Sequence, residues 1–355
     1  MLAAILVEAE NLAPKAPDTV FLGGGTPSLL SVVQLRTFLD RLNEITGFRA
    51  SAKEVTAECN PESLDREKAE ALLDLGVARM SIGFQSLSDE TLASFGRVHT
   101  VDDSFRAFDA ARAAGVCELN LDLIYAYPGQ TAAQWRTDLE RVLALQPEHL
   151  SAYNLTFEQE TPFRRWLDQG RLERASEELE LELFYLVRER TRNAGLEAYE
   201  ISNYARPGHA CAHNVNYWHN GPYLGIGPSA VSRVGSTRRG NTKAISAYVR
   251  QIRDAQHAVL WEENPAARAR LGETWWLGLR LQEGVDPAAA RATSGFDTPA
   301  QDPALAIAAR LEAQGLLQTH AGRYVLTERG LPLADFVGAE FLELGLVDRA
   351  VPSSR

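Results

Sequence analysis

Apolar positions in the first 156 residues recur in two rhythms that take turns, period two over short runs and three-to-four spacing over longer ones. Residues 2–12 read as a short helix with no strand ahead of it, so the chain begins in mid-unit. The apolar run Val20-Phe21-Leu22 stops in Gly23-Gly24-Gly25-Thr26-Pro27-Ser28, and helical periodicity resumes over 32–45. Strands are then predicted at 54–59, 79–86, 118–127 and 149–156, with helices at 64–75, 89–95, 101–114 and 131–145 between them. Strands and helices taking turns in this way imply a parallel sheet with helices outside, as an open sheet or as a full or partial barrel.

The strands are not apolar on both faces, as covered parallel strands usually are. Leucines take one face of 118–123, and Glu118, Asn120 and Asp122 take the other. Met80, Ile82 and Phe84 oppose Ser81, Gly83 and Gln85, while Val55, Ala57 and Cys59 oppose Thr56 and Glu58. The polar faces line a hydrated or ligand-filled interior; a face turned to solvent would carry Lys and Glu more than Gly, Ser and Gln. Glu58, Gln85 and Asp122 stand nearest the carboxyl edge, where ligands bind in such folds. The three glycines let bare backbone approach a ligand there. They lack both the Gly-Lys-Ser/Thr ending of a phosphate loop and the spacing of a dinucleotide fingerprint. Arg97 and His99 lie beyond the Gln85 strand on the same edge. Each reads either as a solvated loop residue or, for Arg97, as a partner for a ligand carboxylate.

The second half is less regular. A Glu-rich amphipathic helix over 176–194 is a solvated face on one side and Leu179, Leu183, Leu186 and Val187 on the other. Residues 209–219 then gather His209, Cys211, His213, Tyr217, Trp218 and His219, a composition that suits an aromatic-lined pocket with an imidazole ligand. Zinc held by His209, Cys211 and His213 is the rival, without a clear fourth ligand. Local hydrogen bonding by these histidines is the other alternative. A helix over 271–281 with Trp275 and Trp276, later helices and a hairpin turning at Ala321-Gly322 resemble a small winged helix. A linker at 259–266 divides the chain into 1–258 and 259–355.

Composition narrows the partners. The 355 residues are 45% hydrophobic, enough for a sizeable core, and 36 Lys and Arg against 47 Asp and Glu leave a net charge of −11. That balance argues against nucleic acid or an anionic membrane as the main partner, and gives the winged-helix-like segment a packing role. No apolar run approaches 18 residues, so no transmembrane segment is expected, and the opening residues lack a secretory signal; the expected location is cytoplasmic. Cys59, Cys117 and Cys211 are too few and too scattered for a disulfide framework or a thiolate cage.

The segments FLGGGTPSLL (21–30), ECNP (58–61), RMSIGFQS (79–86), GRVH (96–99), LNLDLIYAYPGQT (119–131), LSAYNLT (150–156), HNVNYW (213–218) and GPYLGIGPSA (221–230) together resemble one family. It is the radical S-adenosylmethionine family that contains oxygen-independent coproporphyrinogen III oxidases and, closer still, HemW-type heme chaperones. The resemblance implies an α/β fold, a partial parallel (β/α)6 barrel truncated at its first strand, with a C-terminal helical, winged-helix-like domain. It also implies that S-adenosylmethionine lies across the strand ends. Gly24, Gly25 and Thr26 would meet its methionyl amino end, Glu58 the ribose or amino groups, and Gln85, Arg97 and Asp122 the nucleoside and carboxylate, with Thr156 on the adenine side. For His213, with Tyr217 and Trp218 beside it, the implication is contact with heme.

One departure is large. The family's CxxxCxxC motif, whose thiolates hold a 4Fe-4S cluster, is missing, and the chain starts at the helix that should follow it. Cys59 and Cys117 cannot substitute, because both are predicted on the helix-facing side of their strands. Truncation is the expectation; a real cluster-less relative is the other. The reading is a chaperone that passes heme to an acceptor protein. Its rivals are oxidative decarboxylation of coproporphyrinogen III and a silent interaction protein on the same scaffold.

Overall fold

The computed structural model describes residues 1–159 and 161–346. The chain opens with α1 (Leu2–Leu12), β1 (Thr19–Leu22), α2 (Val32–Thr46) and the single turn α3 (Phe48–Ser51). Three strand-to-helix steps follow: β2 (Glu54–Cys59) to α4 (Arg66–Asp74), β3 (Arg79–Gln85) to α5 (Asp89–Ser94) and α6 (Val101–Ala113), and β4 (Glu118–Tyr125) to α7 (Ala132–Leu143). Next come β5 (His149–Asn154), α8 (Pro162–Asp168), α9 (Glu177–Asn193), β6 (Glu197–Ala198) and β7 (Asn203–Ala205). The rest is α10 (Ala212–Trp218), β8 (Val231–Val234), β9 (Thr237–Asn241), α11 (Ile245–Ala255), β10 (Val259–Glu263), α12 (Ala267–Gly278), α13 (Pro287–Ser294), α14 (Pro303–Ala313), β11 (Leu317–His320), β12 (Arg323–Leu326) and α15 (Ala334–Leu342).

The chain divides into two compact units, one formed by Val20–Arg36 and Lys53–Ala210, the other by Met1–Thr19, Thr37–Ala52 and the residues from Cys211 onward. The first is built on a seven-stranded sheet in the order β1-β2-β3-β4-β5-β7-β6. β2 to β5 pair in parallel, and β7 runs antiparallel to both β5 and β6. It is the expected mostly parallel α/β sheet, finished by an antiparallel pair. Its apolar face carries Val55, Ala57, Met80, Ile82, Phe84, Leu119, Leu121 and Leu123, all buried. Reciprocal side-chain and backbone bonds between Thr100 and Asp103, and between Thr131 and Gln134, start α6 and α7 by satisfying amides that a helix leaves unpaired.

Polar residues also fill the amino-terminal end of this sheet. Arg79, 5% exposed, donates to Glu54 at 3.2 Å, to Glu118 at 3.1 Å and to the His209 carbonyl at 2.9 Å. His209 Nδ1 lies 2.7 Å from Glu118. A cation this deeply buried persists only with such partners, and removing one of them strands the others.

In the second unit, Trp275 of α12 is fully buried and stacks on Phe341 of α15, centroids 4.8 Å apart and planes 10° from parallel. α14 leads into the antiparallel β11–β12 hairpin, which turns at Ala321 and Gly322 with φ of 49° and 80°, as expected for the winged-helix-like segment. Two expectations are corrected. Much of the expected linker is β10, paired with β9; Trp261 faces Gly240, where any Cβ would collide with the indole, so an aromatic and β-branched run finds a strand partner. Cys117 is exposed and precedes β4, its thiol directed at the Gly115 carbonyl, because the chain is still leaving α6 there.

Candidate functional site

The parallel register turns the polar alternation into rows. Glu58 stands opposite Ser81, Ser81 opposite Asn120 and Asn120 opposite His149; one step nearer the carboxyl edge, Asp122 stands opposite Ser151. Ser81 Oγ donates to Asp122 at 2.6 Å, and Asn120 Nδ2 reaches Asp122 at 2.8 Å and Ser81 at 2.6 Å. Asn120 Oδ1 accepts from Ser151 Oγ at 3.1 Å and faces His149 Nδ1 at 2.6 Å, while His149 Nε2 meets the Tyr199 hydroxyl at 3.0 Å. Burial, with the Arg79 charge behind it, drops His149 to about 3, so its ring is neutral. A neutral ring that donates from Nδ1 accepts from Tyr199 at Nε2.

Above these rows the two carboxyl groups are near enough for the Asp122 charge to act on Glu58. Burial raises Glu58 above the ordinary carboxylate range and the Asp122 charge adds to it, against one hydrogen bond from the Gly24 N–H at 3.2 Å. Burial also raises Asp122, opposed by its hydroxyl and amide partners and by the Arg97 charge. Two half-desolvated carboxyl groups beside one guanidinium suit a ligand that brings positive charge and hydroxyl or amino donors.

The three glycines of the loop differ in what the chain requires of them. A Cβ on Gly23 would lie 2.5 Å from the Phe21 ring and 2.9 Å from the Glu58 carboxyl carbon, so Gly23 makes room for Glu58. Gly24 has φ +73°, which L side chains rarely adopt. Gly25 has neither constraint: nothing of the chain lies within 4 Å of a Cβ placed there. Thr26 Oγ1 accepts from Asn60 Nδ2 at 3.4 Å, and buried Ser28 accepts from the Asn60 N–H at 3.0 Å, tying the loop to the turn after β2.

Of the other expected site residues, Gln85 ends β3 with φ of 62° and folds its amide back over Gly83, where an added Cβ would come within 2.7 Å of Nε2. Arg97 is half-buried and close enough to act on Asp122. Thr156 lies two residues past β5, exposed, in the loop that continues from the Leu155 N–H bond to the Tyr125 carbonyl. Ser151, Tyr153 and His149 were not foreseen, since β5 shows its polar face only once it is aligned with β4. Tyr153 is 41% exposed as a whole, with a phenol that desolvation raises and the Asp122 charge raises further.

In the second unit, His213 and Tyr217 share one side of α10, four residues apart, with ring centroids 5.0 Å apart and planes nearly perpendicular. His213 Nδ1 is 2.8 Å from Thr19 Oγ1, and Tyr217 packs edge-on against Tyr223 at 4.5 Å. Trp218 is not brought to them; its ring lies under the Arg280 guanidinium, 4.8 Å away.

The chain is 33% identical to the heme chaperone HemW of Bacillus subtilis (strain 168) over 328 residues, which are 92% of this chain and 86% of that protein. The chain belongs to the HemW family. A HemW of Mycobacterium tuberculosis (strain ATCC 25618 / H37Rv) is 36% identical over 95% of this chain and 84% of its own length. The Radical SAM superfamily pattern matches residues 2–142, and the HemN C-terminal domain pattern matches 266–333. Among solved structures, coproporphyrinogen III oxidase (HemN) from Escherichia coli, described as a radical SAM enzyme, superposes with a TM-score of 0.81 over 96% of this chain and 82% of its own. At 22% identity it shows the fold that this HemW-family chain shares with it.

The radical SAM assignment implies a 4Fe-4S cluster, and the cysteines present do not fit one. Cys59 is buried on the apolar face of β2, with its thiol pushed up to about 12 by burial. Cys117 is exposed ahead of β4, and Cys211 is buried at the start of α10. Among the described residues no group of three His, Cys, Asp or Glu could hold a metal ion, which also removes the zinc alternative there. The donor set at the strand ends is compatible with S-adenosylmethionine: Glu58, bonded to the exposed glycine loop, and Asp122 are carboxyl groups whose burial calls for donors and positive charge. No described helix is long and apolar enough to cross a membrane.

Proposed function

We propose that this chain is a heme chaperone that binds S-adenosylmethionine at the strand ends and heme on α10, and passes heme to an acceptor protein in the cytoplasm. The observation that carries the reading is identity of 33–36% to relatives named as heme chaperones, spanning 84–86% of their length. Residues 1–258 are assigned both ligands, and 259–355 a packing role.

On this reading Gly24, Gly25 and Thr26 take the methionyl amino end. Glu58 takes ribose or amino donors, and Gln85, Arg97 and Asp122 take the carboxylate and nucleoside, with Thr156 at the adenine side. When bound, S-adenosylmethionine supplies an adenosyl group on a labile sulfonium. The chain's own residues orient it: Ser81 and Asn120 fix the Asp122 carboxyl, the Gly24 N–H fixes Glu58, and neutral His149 anchors Asn120 from below. Heme is cargo. His213 would contact its iron, with Tyr217 beside it on the same side of α10.

The test is a heme titration of the full chain followed in the Soret region. His213→Ala is expected to lower affinity about tenfold with the fold intact, the loss of roughly one coordinating contact. An unchanged Soret band removes His213 from the site, and a wild-type chain that binds no heme overturns the chaperone reading. Decarboxylated product from anaerobic incubation with coproporphyrinogen III would replace it with the oxidase.

A further inference from the structure

His99 is 4% exposed, in the loop between α5 and α6. Nε2 points at the Phe84 carbonyl, 3.5 Å away, one residue before the left-handed Gln85. Nδ1 is buried without a hydrogen bond among the described residues and has Glu62 Oε2 as a neighbouring acceptor, 3.5 Å away. The other oxygen of Glu62 accepts from Asn60 Nδ2 at 3.0 Å, and the same amide reaches Thr26 Oγ1 at 3.4 Å. Two residues before His99 stands Arg97, whose charge acts on Asp122. A further charged group near His99 is Asp103, at the start of α6. One buried ring therefore touches the end of β3, the turn after β2 and, through Asn60, the glycine loop.

We infer that His99 is a positioning residue for the methionyl end of the ligand. Through Glu62 and Asn60 it holds the loop of Gly24 to Thr26, and from its own loop it sets Arg97. This rests on the S-adenosylmethionine reading above. An ordinary buried histidine would stabilise the unit as a whole. A residue placed in this chain of contacts acts on one end of one ligand, because the glycine loop and Arg97 are assigned the amino and carboxylate groups and no part of the base.

The experiment compares two probes by calorimetry on the full chain: S-adenosylhomocysteine, which has the amino-acid end, and 5′-methylthioadenosine, which lacks it. His99→Phe keeps the ring volume and loses both nitrogens. It is expected to weaken S-adenosylhomocysteine about tenfold, as for a lost buried polar contact, and to change 5′-methylthioadenosine by less than about twofold. His99→Gln, which retains a donor, is expected to recover most of the difference. Glu62→Gln, at a side chain 25% exposed, removes the charge in the same chain of contacts without disturbing the core, and should shift the probes in the same order. Equal weakening of both probes, or none for S-adenosylhomocysteine, in Glu62→Gln and in any His99 variant that folds, overturns the inference alone. A wild-type chain that binds neither probe overturns the S-adenosylmethionine reading and this inference with it.

Discussion

Asp122 and Glu58 are held in their neutral forms more readily than carboxyl groups in water, mainly because burial penalises the charged state. A carboxyl whose pKa rises on folding binds protons more tightly in the native state. It imposes no penalty below its unfolded value, and an increasing one as pH climbs from there to the folded value. Asp122→Asn keeps the shape and removes the charge. It is therefore expected to melt at a higher temperature than wild type at neutral pH, and the gap should close as the buffer is acidified below the ordinary carboxylate range. A gap that widens in acid would show that the carboxyl is stabilised by its partners instead. The same site should lose function as it gains stability: Glu58→Ala and Asp122→Ala are each expected to weaken S-adenosylmethionine by roughly 1–3 kcal/mol in calorimetry, the cost of buried polar groups left unpaired.

At the scale of the element, the glycine loop separates folding from binding. Gly25→Ala adds a methyl that meets nothing of the chain, so its melting temperature is expected to match wild type while S-adenosylmethionine affinity falls. Gly23→Ala drives a methyl into Phe21 and Glu58 and is expected to lower both, as thermal melts and calorimetry of the pair would show. If Gly25→Ala bound normally, no ligand could lie against that backbone. This contrast was only half legible in the sequence, which marks a glycine triplet without showing which glycine serves the chain and which serves a ligand. Period-two alternation exposed Glu58, Ser81, Asn120 and Asp122 because their strands carry clean apolar partners. It did not expose His149 and Ser151, whose polar role depends on register with Asn120. Cys117 was misplaced because alternation does not say where a strand starts, and the linker expected at 259–266 overlaps β10 because a five-residue, mostly exposed strand shows no buried apolar face. Trp218 follows Tyr217 in sequence, but a helix turns about 100° per residue, so neighbours in HNVNYW face different surroundings.

For the molecule as a whole, the first helix is tied to distant sequence by one buried acid. Glu8, 1% exposed, accepts from the Tyr248 hydroxyl at 2.6 Å, the Asn241 amide at 2.7 Å and the Gly227 N–H at 2.8 Å. Glu8→Ala strands three buried donors and is expected to cost about 3 kcal/mol or more in denaturant unfolding; a loss below about 0.5 kcal/mol would mean that water replaces the carboxylate. The neutral state of His149 has a consequence for what the strand ends can accept. With that imidazole uncharged it lends no positive charge to the row beneath Asp122, so Arg97 is the cation that acts on Asp122 while Asp122 itself disfavours charge on Glu58. A cationic guest would relieve both carboxyl groups at once, whereas a neutral one would leave them as they are.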